Sequence, residues 1–316
     1  MEKTYLQEIE IPPCMIGTWA WGSGANGSKM VFGKTYSEEQ LKDTFEKALD
    51  MGFTMWDTAE VYGMGNAERI LGKCIAGKDD VLISTKHFPQ KKFKEGAMEK
   101  SLEESCKRLG IKAPDLYWIH LPNNLTQNVE AGIKLLKAGK IKKLGVSNFS
   151  LDEIKKADEM LKAAGFRLAA VQNHFSLLSN PKKQSKIIEW CQENKVVFFS
   201  YMVLEQGALS GHYDEKRHFP LFSMRGLTFG KSKFKKIRQL LAYEKELAKK
   251  YKTDSSQIPV AWAIAKGTVP IIGLTKEKYA IQLAEAIRIS LSEEEIRRLE
   301  QLAEESGVVI KGSWEP

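Results

Sequence analysis

Four ionisable residues recur at positions that alternating strands and helices would bring together: Asp57 and Tyr62 in DTAEVYG, Lys86 in ISTKH and His120 in LYWIH. Strand interiors rarely carry Asp or Lys, so a carboxylate and an ammonium at two strand ends read as a deliberate charge pair. Reducing a carbonyl needs a hydride from a cofactor and a proton for the oxygen, yet a phenol of pKa near ~10 releases its proton reluctantly at neutral pH. A cation beside it changes that. Lys86 next to Tyr62 would stabilise the phenolate, Asp57 would hold Lys86, and His120 would hydrogen-bond the substrate oxygen. Singly, each residue has a structural reading as a loop aromatic, an ion pair or a core histidine. Together, at successive strand ends, they point to proton transfer.

Eight short apolar runs bounded by turn residues would carry these groups: Cys14–Thr18, Phe53–Asp57, Val81–Lys86, Leu116–His120, Lys142–Ser147, Ala169–Asn173, Val196–Tyr201 and Val269–Gly273. Helical signals lie between them. Ser37 with Gln40 and Ser292 with Glu295 read as capping boxes, Asp254 opens DSSQIPVAWAIAKG, and Gly52, Gly110, Gly139 and Gly165 follow helical stretches. Near-continuous apolar strands alternating with helices imply a parallel sheet covered on both faces. Eight such units fit an α/β fold of the (β/α)8 TIM-barrel type, in which strand ends gather at one mouth. An open doubly wound sheet is the rival, but no G-x-G-x-x-G joins a first strand to a helix, so a dinucleotide would be held in another way. The long interval from Gly207 to Lys231 follows the seventh strand and reads as a functional loop.

The chain has 316 residues, 43% hydrophobic and 28% charged, and residues 1–316 read as one barrel domain. No apolar run approaches the roughly 20 residues needed to span a bilayer, and MEKTYLQEIEIPP lacks a secretory signal's apolar stretch, so a cytoplasmic protein without a membrane partner is expected. Cys14, Cys74, Cys106 and Cys191 form no C-x-x-C pair and read as free thiols, with neither a metal site nor a disulfide framework. The net charge of +8 is spread over lysines interleaved with apolar residues, which reads as solvated helix faces and not as a nucleic-acid surface.

The runs GTWAWG, MWDTAEVYGMGNAERILG, ISTKH, DLYWIHLP, KLGVSNF, VQNHFSLL, SYMVLEQGALSG and VPIIGLTKEK, in this order from about Gly17 to Ala286, resemble the aldo-keto reductase superfamily. The nearest branch is that of bacterial members related to potassium-channel β-subunits. The resemblance implies a (β/α)8 barrel, NADPH (NADP+) rather than NADH bound across its mouth, and Asp57, Tyr62, Lys86 and His120 as the catalytic tetrad. It further implies that Ser147, Asn148 and Gln172 grip the nicotinamide carboxamide while Tyr201 stacks on the ring. Amide and hydroxyl groups suit a primary amide, and a flat aromatic fixes one ring face. For Ser147 and Asn148 the competing reading is a turn or N-cap before LDEIKKADEML. Gly17, Thr18, Trp19, Leu204, Gln206, Ser210, Gly273 and Tyr279 complete the implied cofactor cleft, and Arg225 meets a phosphate from the loop over the pyrophosphate.

At the adenosine end the chain departs from the family pattern. Thr275 and Lys276 keep a hydroxyl and a cation for the 2′-phosphate, but Gln282 stands where an acid is usual and Leu283 where an Asn is usual. Trp19, Trp21 and His87, with Tyr62 and His120, are the expected substrate-pocket residues for a small carbonyl compound of apolar character; core packing is the competing account of the two tryptophans. Two other functions fit parts of the pattern. One is a redox-sensing nucleotide-binding module of the same fold, and the other is a barrel aldolase or isomerase with Lys86 as a Schiff-base nucleophile. Substrate identity and oligomeric state are not legible.

Overall fold

The computed structural model describes residues 4–24, 27–179, 181–220 and 224–312. An antiparallel hairpin, β1 (Thr4–Leu6) and β2 (Ile9–Ile11), leads into eight parallel strands: β3 (Met15–Gly17), β4 (Met55–Asp57), β5 (Leu82–His87), β6 (Leu116–Ile119), β7 (Leu144–Ser147), β8 (Ala170–His174), β9 (Val197–Tyr201) and β10 (Val269–Gly273). These close into a barrel in the order β10-β3-β4-β5-β6-β7-β8-β9, with helices between successive strands. Each of the eight apolar runs is a strand, with ends displaced by up to two residues. The open-sheet alternative is thereby excluded.

The strands pack apolar residues on both faces, as a covered parallel sheet requires. Outward residues such as Ile16, Trp56 and Phe198 join the helices in one cluster. Inward residues Met15, Met55, Leu116, Trp118 and Phe199 form a second, which Leu6 and Ile11 of the hairpin join. The N-terminal hairpin thus plugs the end of the barrel opposite the strand C-termini. Lys143 pins it there through Gln7 Oε1 at 2.9 Å and Glu8 Oε1 at 2.6 Å.

Local signals set the helix starts. Ser292 and Glu295 form the expected reciprocal cap, and Ser150 with Glu153 forms another. Ser37 accepts from the Gln40 amide, but the Gln40 side chain turns away to the Thr275 carbonyl at 2.6 Å, so the box is half made. Asp254 caps through its main chain: its carbonyl accepts from Gln257 N at 2.9 Å, and Ser256 is the N-cap residue. The interval 207–231 carries short helices at 224–228 and 231–236. No helix of the described residues is long and apolar enough to cross a membrane.

Candidate active site

Asp57 ends β4, Lys86 is the last but one residue of β5, and His120 follows β6, so three adjacent strands deliver them to one end of the barrel. Tyr62 arrives from the loop after β4. Its placement depends on Gly22 and Gly63: a Cβ on Gly63, at φ +57, would lie 2.4 Å from the Ser23 carbonyl, and one on Gly22 would lie 2.9 Å from the Tyr62 carbonyl. Only two glycines let these loops pack backbone to backbone. Asn66 Oδ1 then ties them through Ser23 N at 2.9 Å and Ser23 Oγ at 3.0 Å.

Lys86 and Asp57 are a buried ion pair. Lys86 Nζ donates to Asp57 Oδ2 and, at 2.7 Å, to the Thr58 carbonyl. Asp57 Oδ1 accepts from Ser84 Oγ at 2.6 Å and Gln172 Nε2 at 3.4 Å, so the carboxylate is engaged on both oxygens. Breaking such a pair strands a buried charge, which ties the geometry of one member to the other. Lys86 Nζ sits 5.1 Å from the centroid of the Tyr62 ring. Burial lowers the Lys86 ammonium from its usual value, with Asp57 opposing.

The expected lowering of the Tyr62 phenol is not observed. Burial first, and the negative charge of Asp57 second, push it well above its ordinary value. The physical reason is that Asp57 neutralises Lys86, leaving little net field at Tyr62 to offset desolvation. His120 moves the other way: burial, then the positive charges of Lys86 and His87, hold it well below the usual histidine value, so its imidazole is neutral at pH 7. Both groups therefore present hydrogen-bond donors in neutral form.

A cavity of about 340 Å³ opens above these groups. Of the residues singled out in the sequence, Gly17, Trp19, Asp57, Tyr62, His120, Ser147, Asn148, Gln172, Tyr201, Leu204, Gln206, Ser210, Arg225, Gly273, Thr275, Tyr279 and Gln282 line it. Ser147 ends β7 in register with Gln172 on β8. Asn148, at φ +64, donates to the His120 carbonyl at 3.0 Å and to Ser147 Oγ at 3.1 Å, and its Oδ1 accepts from the Tyr201 hydroxyl at 2.6 Å. The N-cap of the following helix is Ser150 and not either of these two, so the capping account of Ser147 and Asn148 fails.

Five expected residues stand elsewhere. Lys86 is fully buried and does not line the cavity. Thr18 is fully buried and ties β3 to β4 through Oγ1 to the Asp57 carbonyl at 3.0 Å. Trp21 is 2% exposed, donates from Nε1 to the Leu274 carbonyl at 2.7 Å and packs edge-on against Trp56. It is a core residue, and only Trp19 is a cavity wall, stacked on Tyr62 with centroids 6.0 Å apart. His87 lies behind the wall, 3.4 Å from Glu60 Oε1. Lys276 opens the helix Glu277–Ala286 and borders a separate shallow depression with Glu39, Asp43 and Glu277.

The cavity also has walls that sequence reasoning missed: Phe32, which ends the short helix Ser28–Phe32, Lys34 just after it, and Tyr36, Met202, His212 and Tyr213. FGKTY, an aromatic, a glycine and a cation between two helices, was the available signal. Arg225 joins the far side, donating from NH2 to the Phe32 carbonyl at 2.6 Å and from NH1 to the Gln206 carbonyl at 3.3 Å.

These walls fit an extended nicotinamide dinucleotide. Amide and hydroxyl groups cluster over Asp57, Tyr62 and His120, the Tyr201 phenol ring backs onto His174 at 5.7 Å and 26°, and the outer cavity carries cationic Arg225 and Lys34. Among the described residues the buried Arg225 Nε has no hydrogen-bond partner, as suits a group left over for an anion.

The family model described as "Aldo/keto reductase family" matches residues 13–304. A chloroplastic pyridoxal reductase of Arabidopsis thaliana is 30% identical, covering 96% of this chain and 87% of that protein. The NADP(+) aldo-keto reductase yakc of Schizosaccharomyces pombe is 28% identical, covering 92% of this chain and 90% of its own. Among solved structures, an aldo-keto reductase from Klebsiella pneumoniae in complex with NADPH superposes with a TM-score of 0.73 at 26% identity, covering 96% of each chain.

Proposed function

The chain belongs to the aldo/keto reductase family of oxidoreductases, and from that premise we propose that it reduces aldehydes or ketones to alcohols with NADPH, Tyr62 giving the proton. The observation that carries this reading is the buried Asp57–Lys86 pair with its ammonium 5.1 Å from the centroid of the Tyr62 ring, which also neighbours His120 at 6.2 Å between ring centroids. NADPH, when bound, supplies the hydride.

The protein's own groups do the rest. Ser147, Asn148 and Gln172 hold the carboxamide, and the Tyr201 ring, pinned by its hydroxyl bond to Asn148, backs one face. His120 and the Tyr62 hydroxyl hydrogen-bond the carbonyl oxygen where negative charge develops. The phenolic proton moves to that oxygen, and the phenolate left behind faces the Lys86 ammonium, 5.1 Å from the ring centroid, which Asp57 and the Thr58 carbonyl keep in place and partly offset. Trp19 and Phe32, in edge contact at 5.4 Å, give the substrate an apolar wall, which suits carbonyl compounds with an aromatic or medium-length apolar body. A cytoplasmic setting is part of the same reading.

NADPH consumption followed by nicotinamide absorbance, with aromatic, aliphatic and sugar aldehydes offered in turn, tests the proposal. NADPH binding without turnover of any carbonyl would favour the redox-sensing module instead.

A further inference from the structure

We propose that Lys34, and not Lys276, is the lysine that meets a phosphate of the dinucleotide. The inference rests on the reading of the cavity as an NADPH site. Among the described residues, the only lysine or arginine side chains on the cavity wall are Lys34 and Arg225. Lys276, the sequence's candidate, borders a different depression among Glu39, Asp43 and Glu277, where carboxylates would repel a phosphate.

The chain presents Lys34 by construction. Arg225 clamps the Phe32 carbonyl at 2.6 Å and lies with its guanidinium 5.8 Å from the Phe32 ring. Gly33 turns the backbone at φ +69, a conformation that disfavours side chains. Lys34 follows at the cavity edge. Six residues on, Gln40 is fixed to the Thr275 carbonyl at 2.6 Å. The segment 32–40 is therefore anchored at one end to Arg225 and at the other to Thr275, and Lys34 lies between two positions expected near phosphates. No hydrogen bond or ion pair among the described residues engages its ammonium, whereas two of the three Arg225 nitrogens are already committed to carbonyls. A free ammonium in a cavity where, among the described residues, the paired Asp57 is the sole carboxylate is disposed toward an anion.

The test is equilibrium binding of NADP+, NAD+ and 2′,5′-ADP to wild type, Lys34→Ala, Lys34→Arg and Lys276→Ala, read by calorimetry. Lys34 is exposed, so its replacement leaves the fold intact, and far-UV circular dichroism checks this. Loss of a charged hydrogen bond predicts NADP+ binding weaker by roughly tenfold to a hundredfold in Lys34→Ala, nearly restored in Lys34→Arg. Lys276→Ala removes the same unit of charge and should stay within about twofold, which separates a direct contact from a general field. Loss for NADP+ and 2′,5′-ADP with NAD+ unchanged places Lys34 on the 2′-phosphate; equal loss for both dinucleotides places it on the pyrophosphate. Unchanged NADP+ binding in Lys34→Ala, or a larger loss in Lys276→Ala, overturns the inference. Failure of wild type to bind NADP+ at all would instead sink the cofactor reading beneath it.

Discussion

His174 and Tyr201 are register partners on β8 and β9, and their rings stack 5.7 Å apart at 26°. Beneath them the fully buried Glu205 receives His174 Nε2 at 2.7 Å and the Ser176 hydroxyl on the same oxygen. Glu205 and Gln206 both adopt positive φ, at +48 and +54, where a side chain costs energy. One carboxylate thus ties the strained turn at 205–206, just after β9, to the stacked His174–Tyr201 pair. Glu205→Ala, which strips His174 and Ser176 of their acceptor, should cost about 3 kcal/mol. A urea midpoint shift at unchanged slope would show it; stability within about 0.5 kcal/mol of wild type would contradict the anchoring role.

Trp19 and Trp21 separate by substitution. Trp21→Phe, which leaves the Leu274 carbonyl without its donor, should destabilise the fold by about 1–3 kcal/mol with little change in substrate KM. Trp19→Ala should raise KM for aromatic aldehydes with a smaller stability loss. Thermal melts and steady-state kinetics on both variants decide; an unchanged melting temperature with altered specificity in Trp21→Phe would return that residue to the pocket.

Acid sensitivity follows from His120. Its folded-state pKa is lowered by burial, so below about pH 6.5 the unfolded chain binds a proton that the folded chain refuses. The fold therefore loses stability as pH falls through the ordinary histidine range, by up to roughly 1.4 kcal/mol per pH unit from this group. Urea denaturation at pH 7.5 and 5.5 should show a larger loss for wild type than for His120→Gln. Equal losses would mean that His120 does not stay neutral in the fold.

Much of this architecture is legible from periodicity, because eight buried strands in a covered barrel must each read as an apolar run. The gathering of Asp57, Lys86 and His120 is legible because strand ends fix them to one mouth, and Tyr62 follows β4 by a short loop. The hairpin β1–β2 is not, since two three-residue strands carry too little alternation to stand out, and TYLQEIEI declares itself only by docking Leu6 and Ile11 against Met15 and Trp118. Nor does sequence tell on which side of a wall a residue lies. Trp19 and Trp21 share a motif, yet the chain turns between them and sends one to the cavity and the other to the core. Likewise Lys276 follows Thr275, but only Thr275 faces the cavity, and Lys34 enters it from the FGKTY loop, whose cation no periodicity assigns to one side of the wall or the other.

The direct test of the central claim is Tyr62→Phe, which removes one hydroxyl from a buried ring. With NADPH and the best aldehyde found for wild type, the account predicts turnover reduced by about 10²–10⁴-fold while the NADPH dissociation constant stays within about twofold. Turnover near the wild-type rate, or equal loss of turnover and NADPH affinity, would contradict the assignment of Tyr62 as the proton donor.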